Sequence, residues 1–241
     1  MLTLILAEAA LETIPPTLWN HSSVRNHSKK QRKPMQQLLL DRSLHHYAMR
    51  KLENSQKRGR PDITHIVLLQ ALGSPLNKEG LLKIYVHTCN NFIITVSPIT
   101  RIPRNYNQFT GLIEQLFKQG KVPSVGETLL MLEQKTLKKL LKDIKADYVL
   151  AFSREGTPKT LEEAIYSLKI KRNIAVIIGG FPYGHFSKTT LSEVCEPVCV
   201  DSEMLEAGVL TSRIIYDYER AFSLPQKRIR KKLIKNPSDK S

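Results

Sequence analysis

Long apolar runs are missing from this chain: nothing in its 241 residues approaches the roughly 20 that a membrane helix needs, so no membrane partner is expected. Cysteine is scarce. Cys89, Cys195 and Cys199 are an odd number with no Cys-x-x-Cys pair, and they read as small buried side chains in a reducing compartment. The apolar start from Met1 to Leu11 lacks a basic n-region and a cleavage site, so it reads as a first strand rather than a signal peptide, and the protein is expected inside the cell. No glutamate completes a His-Glu-x-x-His site among the seven histidines, and the adjacent His45 and His46 would stand about 100° apart on a helix. His21, His65 and His87 read as hydrogen-bonded packing residues, and no metal is assigned.

Acids are missing where a solvated face would mix the signs. Between Arg25 and Arg60 eleven lysines and arginines face only Asp41 and Glu53. The whole chain carries a net charge of +15, well beyond what solubility requires, which points to a polyanionic partner, nucleic acid rather than membrane. With 41% hydrophobic residues the chain can nonetheless bury a full core.

What is present is organised around Asn173 to Phe186. The β-branched run Ile174 to Ile178 breaks into a loop with three glycines and a proline, after which Ser187 opens a helix. Such loops at the carboxyl ends of parallel strands are where ligands sit in α/β sheets. Gly179 to Gly184 matches half of a P-loop, but His185 and Phe186 stand where its lysine and hydroxyl belong, and Gly-x-Gly-x-x-Gly is absent. Nucleoside triphosphate and standard dinucleotide readings therefore fail.

Around this stretch the pattern alternates: strand Tyr148 to Phe152, helix Leu161 to Leu168, strand Ile174 to Ile178, helix Lys188 to Val194, strand Pro197 to Val200, helix Met204 to Phe222. That alternation predicts a mainly parallel α/β sheet. Upstream, Leu2 to Leu6 reads as a strand, Gln36 to Leu52 as a helix, Leu82 to His87 with Phe92 to Val96 as a β-hairpin, and Phe109 to Phe117 as a helix. Leu129 to Ile144 has a leucine- and lysine-rich helical pattern. Thr64 to Leu72 is apolar without a decisive period; Asp62 could cap a helix there, but the run is read as a strand. Arg58, Arg60, Arg101 and Arg104 lie in proline-constrained turns, which hold guanidinium groups ready for phosphate. Asp62 is well placed to hold Arg60.

Several motifs in order carry a resemblance. Leu40 to Met49, Lys57-Arg58-Gly59-Arg60-Pro61-Asp62-Ile63, Ser74-Pro75-Leu76-Asn77 with Gly80-Leu81-Leu82, Tyr85-Val86-His87-Thr88, Arg101-Ile102-Pro103-Arg104-Asn105-Tyr106 and the Gly-Gly-Phe-Pro segment resemble the small-subunit ribosomal RNA pseudouridine N1-methyltransferases. The resemblance implies a SPOUT-class fold, with a mainly parallel sheet, a C-terminal trefoil knot and a β-hairpin and helical insertion. It implies one domain over residues 1–226 with the insertion around 74–135, followed by a basic, disordered tail at 227–241.

It also implies a homodimer acting on small-subunit ribosomal RNA with S-adenosylmethionine, without a metal, in the cytoplasm, with an archaeal source. Carried over by position, the cofactor loops are Phe152; Gly179, Gly180, Gly184, His185 and Phe186; and Val200, Asp201, Ser202, Glu203, Met204 and Leu205. Arg60, Arg101 and Arg104 match positions that contact RNA, Arg58 joins them as a candidate, and Asp62 matches the acid that steadies the first arginine. Gln108 replaces an arginine common in the family, which puts one phosphate contact in doubt. Asp62 is the candidate general base, although pairing with Arg60 argues for positional and electrostatic catalysis instead. A non-catalytic ribosome-assembly factor and a transfer-RNA methyltransferase of the same fold are the alternatives.

Overall fold

Strand β1 (Leu2–Ala9) is buried along nearly its whole length because it runs through the middle of a sheet covered on both faces, which is why it reads as an unbroken apolar run. The computed structural model describes residues 1–235. After β1 come α1 (Ser22–Gln31), α2 (Arg42–Met49), α3 (Pro61–Gly73) and the single turn α4 (Pro75–Lys78). Next are β2 (Leu82–Thr88), β3 (Phe92–Val96), α5 (Tyr106–Gln119), β4 (Lys121–Val122) and β5 (Leu130–Gln134). The C-terminal part comprises α6 (Leu137–Asp143), β6 (Tyr148–Pro158), α7 (Leu161–Ser167), β7 (Ile174–Gly179), α8 (Lys188–Leu191), β8 (Glu196–Cys199), α9 (Ala207–Ala221) and α10 (Leu224–Lys235).

The strands form one sheet in the order β4-β5-β3-β2-β1-β7-β6-β8. β2, β1, β7, β6 and β8 are parallel neighbours, and β3, β5 and β4 extend one edge antiparallel. Residues 74–135, expected as an insertion, thus supply one central strand and the whole antiparallel edge of the same sheet. Ligand-binding crevices in such sheets open at the carboxyl ends of the parallel strands.

Four expectations are corrected. Thr64 to Leu72 belongs to α3: Pro61 at the first helical position and Asp62 in the first turn favour a helix start, and burial against β1, α5 and α9 makes the helix apolar on several sides, which hides its period. Leu130–Gln134 is a strand, paired with β3 from Val96 to Phe92, and helix α6 starts only after Thr136, whose side chain caps Lys139. The Gln36 to Leu52 helix is confined to α2, capped by Asp41; Leu38 and Leu40 lie in extended chain bonded to Ile14 and Glu12. The tail is helical through Lys235, because Leu224 is buried and Arg228 and Lys231 both pair with Glu79. Residues 236–241 of the expected disordered tail lie outside the described residues. The cysteines are also less hidden than expected: Cys89 and Cys199 are half-buried and Cys195, at the entry to β8, is exposed.

The end of β1 is held against the start of the glycine loop. Gly180 N–H donates to the Ala7 carbonyl at 2.8 Å, and Ala10 N–H donates to the Gly180 carbonyl at 2.8 Å. A side chain at Gly180 would put its Cβ 2.6 Å from the Ala9 Cα, a backbone atom that no rotamer change can move. Gly180 is therefore required by chain packing. Gly180→Val is expected to lower unfolding stability by roughly 1–3 kcal/mol, measured by urea denaturation.

Candidate active site

At the carboxyl ends of β7, β6 and β8 the chain encloses a cavity of about 430 Å³. Its walls are the loop after β7, the segment from Val200 to Glu206 before α9, and the first turns of α3. Of the residues assigned to a cofactor, Phe152, Gly179, Gly184, His185, Phe186, Val200, Asp201, Glu203, Met204 and Leu205 line it. Gly180 and Ser202 do not: the first faces β1, and the second is exposed outside the cavity. The expected helix from Met204 starts only at Ala207, which leaves Val200 to Glu206 free to form the wall.

Ser153 and Arg154 also reach the cavity; sequence reasoning included them only as unnamed neighbours of Phe152 and missed the loop that carries them. Val198 pairs with both Phe152 and Thr157, so residues 153–156 loop out of β6 towards the opening. The signal was Gly156: a Cβ there would lie 2.4 Å from the Val198 nitrogen, so only glycine lets the returning chain pass. Ile63 and Ile66 of α3 were missed as well, because α3 was read as a strand.

The lining has two characters. Ile63, Ile66, Phe152, Val200, Met204, Leu205 and Leu210 make apolar walls, while Asp201, Glu203 and Glu206 bring carboxylates to one side. At Gly179 a Cβ would meet the Phe181 ring at 3.1 Å, so the glycine makes room for that ring, and both residues line the cavity. A volume of this size suits a compact ligand, and these walls favour a flat heterocycle in the apolar part with a cationic end near the acids. Among the described residues there is no group of three or more His, Cys, Asp or Glu side chains that could hold a metal ion.

The arginine turn borders the same cavity. Arg60 donates from Nε and Nη2 to the two oxygens of Asp62 at 2.8 and 2.7 Å, and both residues line the opening, each about one-third exposed. Arg58 is different. It donates to both oxygens of Glu12 at 2.7 and 2.6 Å, and Glu12 is 2% exposed. Gly59, at φ +67°, reverses the chain between them, turning Arg58 inward and Arg60 outward. Arg58 is thus withdrawn from the expected RNA-contacting set into a structural pair.

Arg101 and Arg104 are exposed on the loop before α5, with no carboxylate within 4.0 Å among the described residues. His65 Nε2 donates to the Pro103 carbonyl at 2.7 Å and its ring stacks on Phe109, so α3 holds this loop beside the Arg60 turn. Gln108 is exposed in the first turn of α5, where its N–H is capped by the Asn105 side chain. His21 and His87 also have hydrogen-bond partners, in Ser23 and Asn91.

A sheet with a cleft for a compact ligand at its strand ends, bordered by Arg60 and Arg154, defines the class: an α/β protein whose small-molecule site opens beside cationic side chains. The model of the EMG1/NEP1 methyltransferase family matches residues 4–219. The ribosomal RNA small subunit methyltransferase Nep1 of Thermococcus kodakarensis is 42% identical over 227 residues, 93% of this chain and 100% of that protein. The same-named protein of Staphylothermus marinus is 42% identical over 224 residues, 92% and 97% of the two chains. The crystal structure of Archaeoglobus fulgidus Nep1 bound to S-adenosylhomocysteine is similar with a TM-score of 0.82 at 37% identity, covering 92% of this chain and 98% of that one. The chain belongs to the EMG1/NEP1 methyltransferase family, the one that its linked motifs resemble.

His45 supplies a pH test of the layer under the arginine turn. It is fully buried, and its Nδ1 accepts the Asp41 N–H at 3.1 Å, so a neutral ring carries its proton on Nε2 and donates it to His27 Nδ1 at 3.0 Å. Burial, with His27 adding to it, pushes its pKa down to about 4. The unfolded ring binds a proton near the ordinary value of about 6.5 while the folded ring resists it; this contribution to stability is complete above that value and is lost as pH falls towards 4. His45→Gln is expected to flatten the decline of unfolding free energy between pH 6.5 and 4, measured by denaturant titrations across that range.

Proposed function

We propose that this protein transfers a methyl group from S-adenosylmethionine to N1 of a pseudouridine in small-subunit ribosomal RNA, during small-subunit biogenesis. One observation carries the reading: Arg60 and Asp62 of the RNA-type turn line the same cavity as Phe152, Gly179 and Met204. Two binding functions thus meet at one opening. The apolar slot suits an adenine, and the carboxylates of Asp201, Glu203 and Glu206 suit a ligand with cationic groups. Residues of this chain that would hold the cofactor are therefore Phe152, Gly179, the Gly184 to Phe186 segment, Val200, Asp201 and Glu203 to Leu205. When bound, S-adenosylmethionine supplies an electrophilic sulfonium methyl.

The chain's own contribution is placement and field. Arg101 and Arg104 provide unpaired cations for phosphates, and the His65 bond to Pro103 keeps them near the cleft. Arg60 is pre-set by Asp62 with one-third of its side chain open to a polyanion. Both Asp62 oxygens are engaged, which favours a positioning role for this carboxylate over that of a free base. Arg60 and Arg154 at the opening favour the anion that develops as N1 gives up its proton to water, and alignment of nucleophile and donor supplies the rest. Gln108 offers a neutral hydrogen-bond contact where a cation would add charge.

Within this reading the chain works as a homodimer in the cytoplasm of an archaeal cell, with the C-terminal strands and their loops tied as a trefoil knot. Exposed Val209 and Tyr216, two turns apart on one side of α9, offer apolar surface to a second copy. Among the described residues, no helix is long and apolar enough to cross a membrane.

The test is methyl incorporation from S-adenosylmethionine into pseudouridine-containing small-subunit RNA and transfer RNA, followed by nucleoside mass spectrometry. N1-methylpseudouridine in the ribosomal RNA alone is expected; none in either RNA would sink the reading. Arg60→Ala should weaken RNA binding and reduce the slope of log affinity against log salt by about 1, with S-adenosylhomocysteine affinity retained by calorimetry. Asp62→Asn should lower RNA affinity while turnover at saturating RNA stays within about threefold, since an asparagine can still accept from Arg60. Unchanged RNA affinity with turnover abolished would promote Asp62 to general base.

A further inference from the structure

Glu8 lies at the carboxyl end of β1, where the register with β2 slips between Leu6 and Ala9. Its φ of +51° places a non-glycine residue in the left-handed region, a strain that a glycine would avoid. The side chain is only 13% exposed, yet it bonds on two sides. One oxygen accepts the Ser187 N–H at 2.7 Å, at the residue that caps α8 and ends the glycine loop. The other accepts from Lys57 Nζ at 3.1 Å.

Lys57 is the last residue of the turn before Arg58. Its ammonium also donates to the His185 carbonyl and lies 4.2 Å above the centre of the Phe181 ring. A Cβ at Gly184 would approach its Cε to 3.1 Å, so the loop packs on the lysine stem as well as on its charge. Phe181, Gly184, His185 and Phe186 line the cleft, and Lys57 does not. The next residues, Arg58 and Arg60, are the inward and outward arginines of the RNA turn. Lys57 and Glu8 therefore join the glycine loop to the arginine turn, two segments whose relation must stay fixed for the cleft and the turn to serve one reaction.

We infer that Lys57, clasped by Glu8, is a positioning residue that locks the loop from Phe181 to Ser187 onto the arginine turn, and so shapes the methyl-donor cleft without touching the donor. This rests on the proposed use of the cleft for S-adenosylmethionine. Burial alone would raise the Glu8 pKa; the Ser187 amide, the Thr190 and Ser187 hydroxyls and Lys57 outweigh it and hold the carboxylate below its ordinary value, ionised as the clasp requires. A lysine kept only for surface packing would need neither the carbonyl nor the strained glutamate.

The experiment uses the full chain and three variants. Lys57→Met keeps the stem and removes the charge, Lys57→Arg restores a cation, and Glu8→Gly relaxes the backbone while removing the carboxylate. Calorimetry with S-adenosylhomocysteine should show a Kd raised ~10-fold in Lys57→Met and Glu8→Gly, the scale of one lost charge-assisted hydrogen bond. The KM for S-adenosylmethionine should rise in parallel, with kcat at saturation within about threefold and RNA affinity without cofactor within about twofold. Lys57→Arg should recover most of the loss. Unchanged S-adenosylhomocysteine affinity in Lys57→Met would overturn the inference, as would an equal loss of both affinities that Lys57→Arg fails to rescue. A wild-type chain that binds no S-adenosylhomocysteine would instead overturn the proposed function itself.

Discussion

The carboxyl end of β1, with Ala10 just after it, acts as a backbone hub on which both halves of the site hang. Ala7 accepts from Gly180 at 2.8 Å, Gly180 accepts from Ala10 at 2.8 Å, Ala10 accepts from Arg60 at 2.9 Å, and Ala9 accepts from Cys89 at 3.0 Å. These bonds tie the glycine loop, the arginine turn and the hairpin to one short segment. Because that segment continues a strand buried on both faces, none of the three can shift without disturbing the centre of the sheet. The tight fit of Gly180 against Ala9 follows from the same convergence: three chains cross where there is room for backbone alone.

Charge is sorted at this hub rather than merely accumulated. Arg58 and Arg60 differ by two positions but occupy opposite environments, one neutralised by the buried Glu12 and the other opened to solvent with Asp62 beside it. A buried pair of this kind adds little net stability, since desolvation offsets most of its attraction, but loss of one partner is severe. Its use is geometric. With Arg58 secured to the β1 extension, Arg60 is presented from a rigid base and the surrounding net charge of +15 has a defined focus. The free arginines at 101 and 104 then need only one fixed point, which the His65 to Pro103 bond provides.

How much of this was legible depended on whether one layer of structure decided it. The strands β1, β2, β3, β6 and β7 were visible because β-branched runs between turn residues leave little choice. Most cofactor-loop residues were visible for the same reason, as they follow directly from the ends of those strands. β5 was not, because Leu130 to Leu132 enters a leucine- and lysine-rich run, and only its pairing with β3 makes it extended. Arg58 could not be separated from Arg60 in sequence, since its partner Glu12 is distant along the chain. The clasp of Lys57 on Glu8 was equally hidden: a lysine among ten other cations of one segment carries no mark of its neighbours in space.

The misreading of α3 and the working of the site share a cause. A helix packed on one side shows its period, whereas α3 packs on β1, α5 and α9 and is apolar nearly all round, so periodicity is lost. That same central packing is what lets one rigid element serve several parts of the site. Its first turn carries Asp62 for Arg60, Ile63 and Ile66 wall the cleft, and His65 on another side holds the loop of Arg101 and Arg104. An amphipathic surface helix could have offered only one of these faces to the site. The feature that made α3 ambiguous as sequence is thus the one that lets it set the distance between the small-ligand cleft and the exposed arginines of the loop before α5.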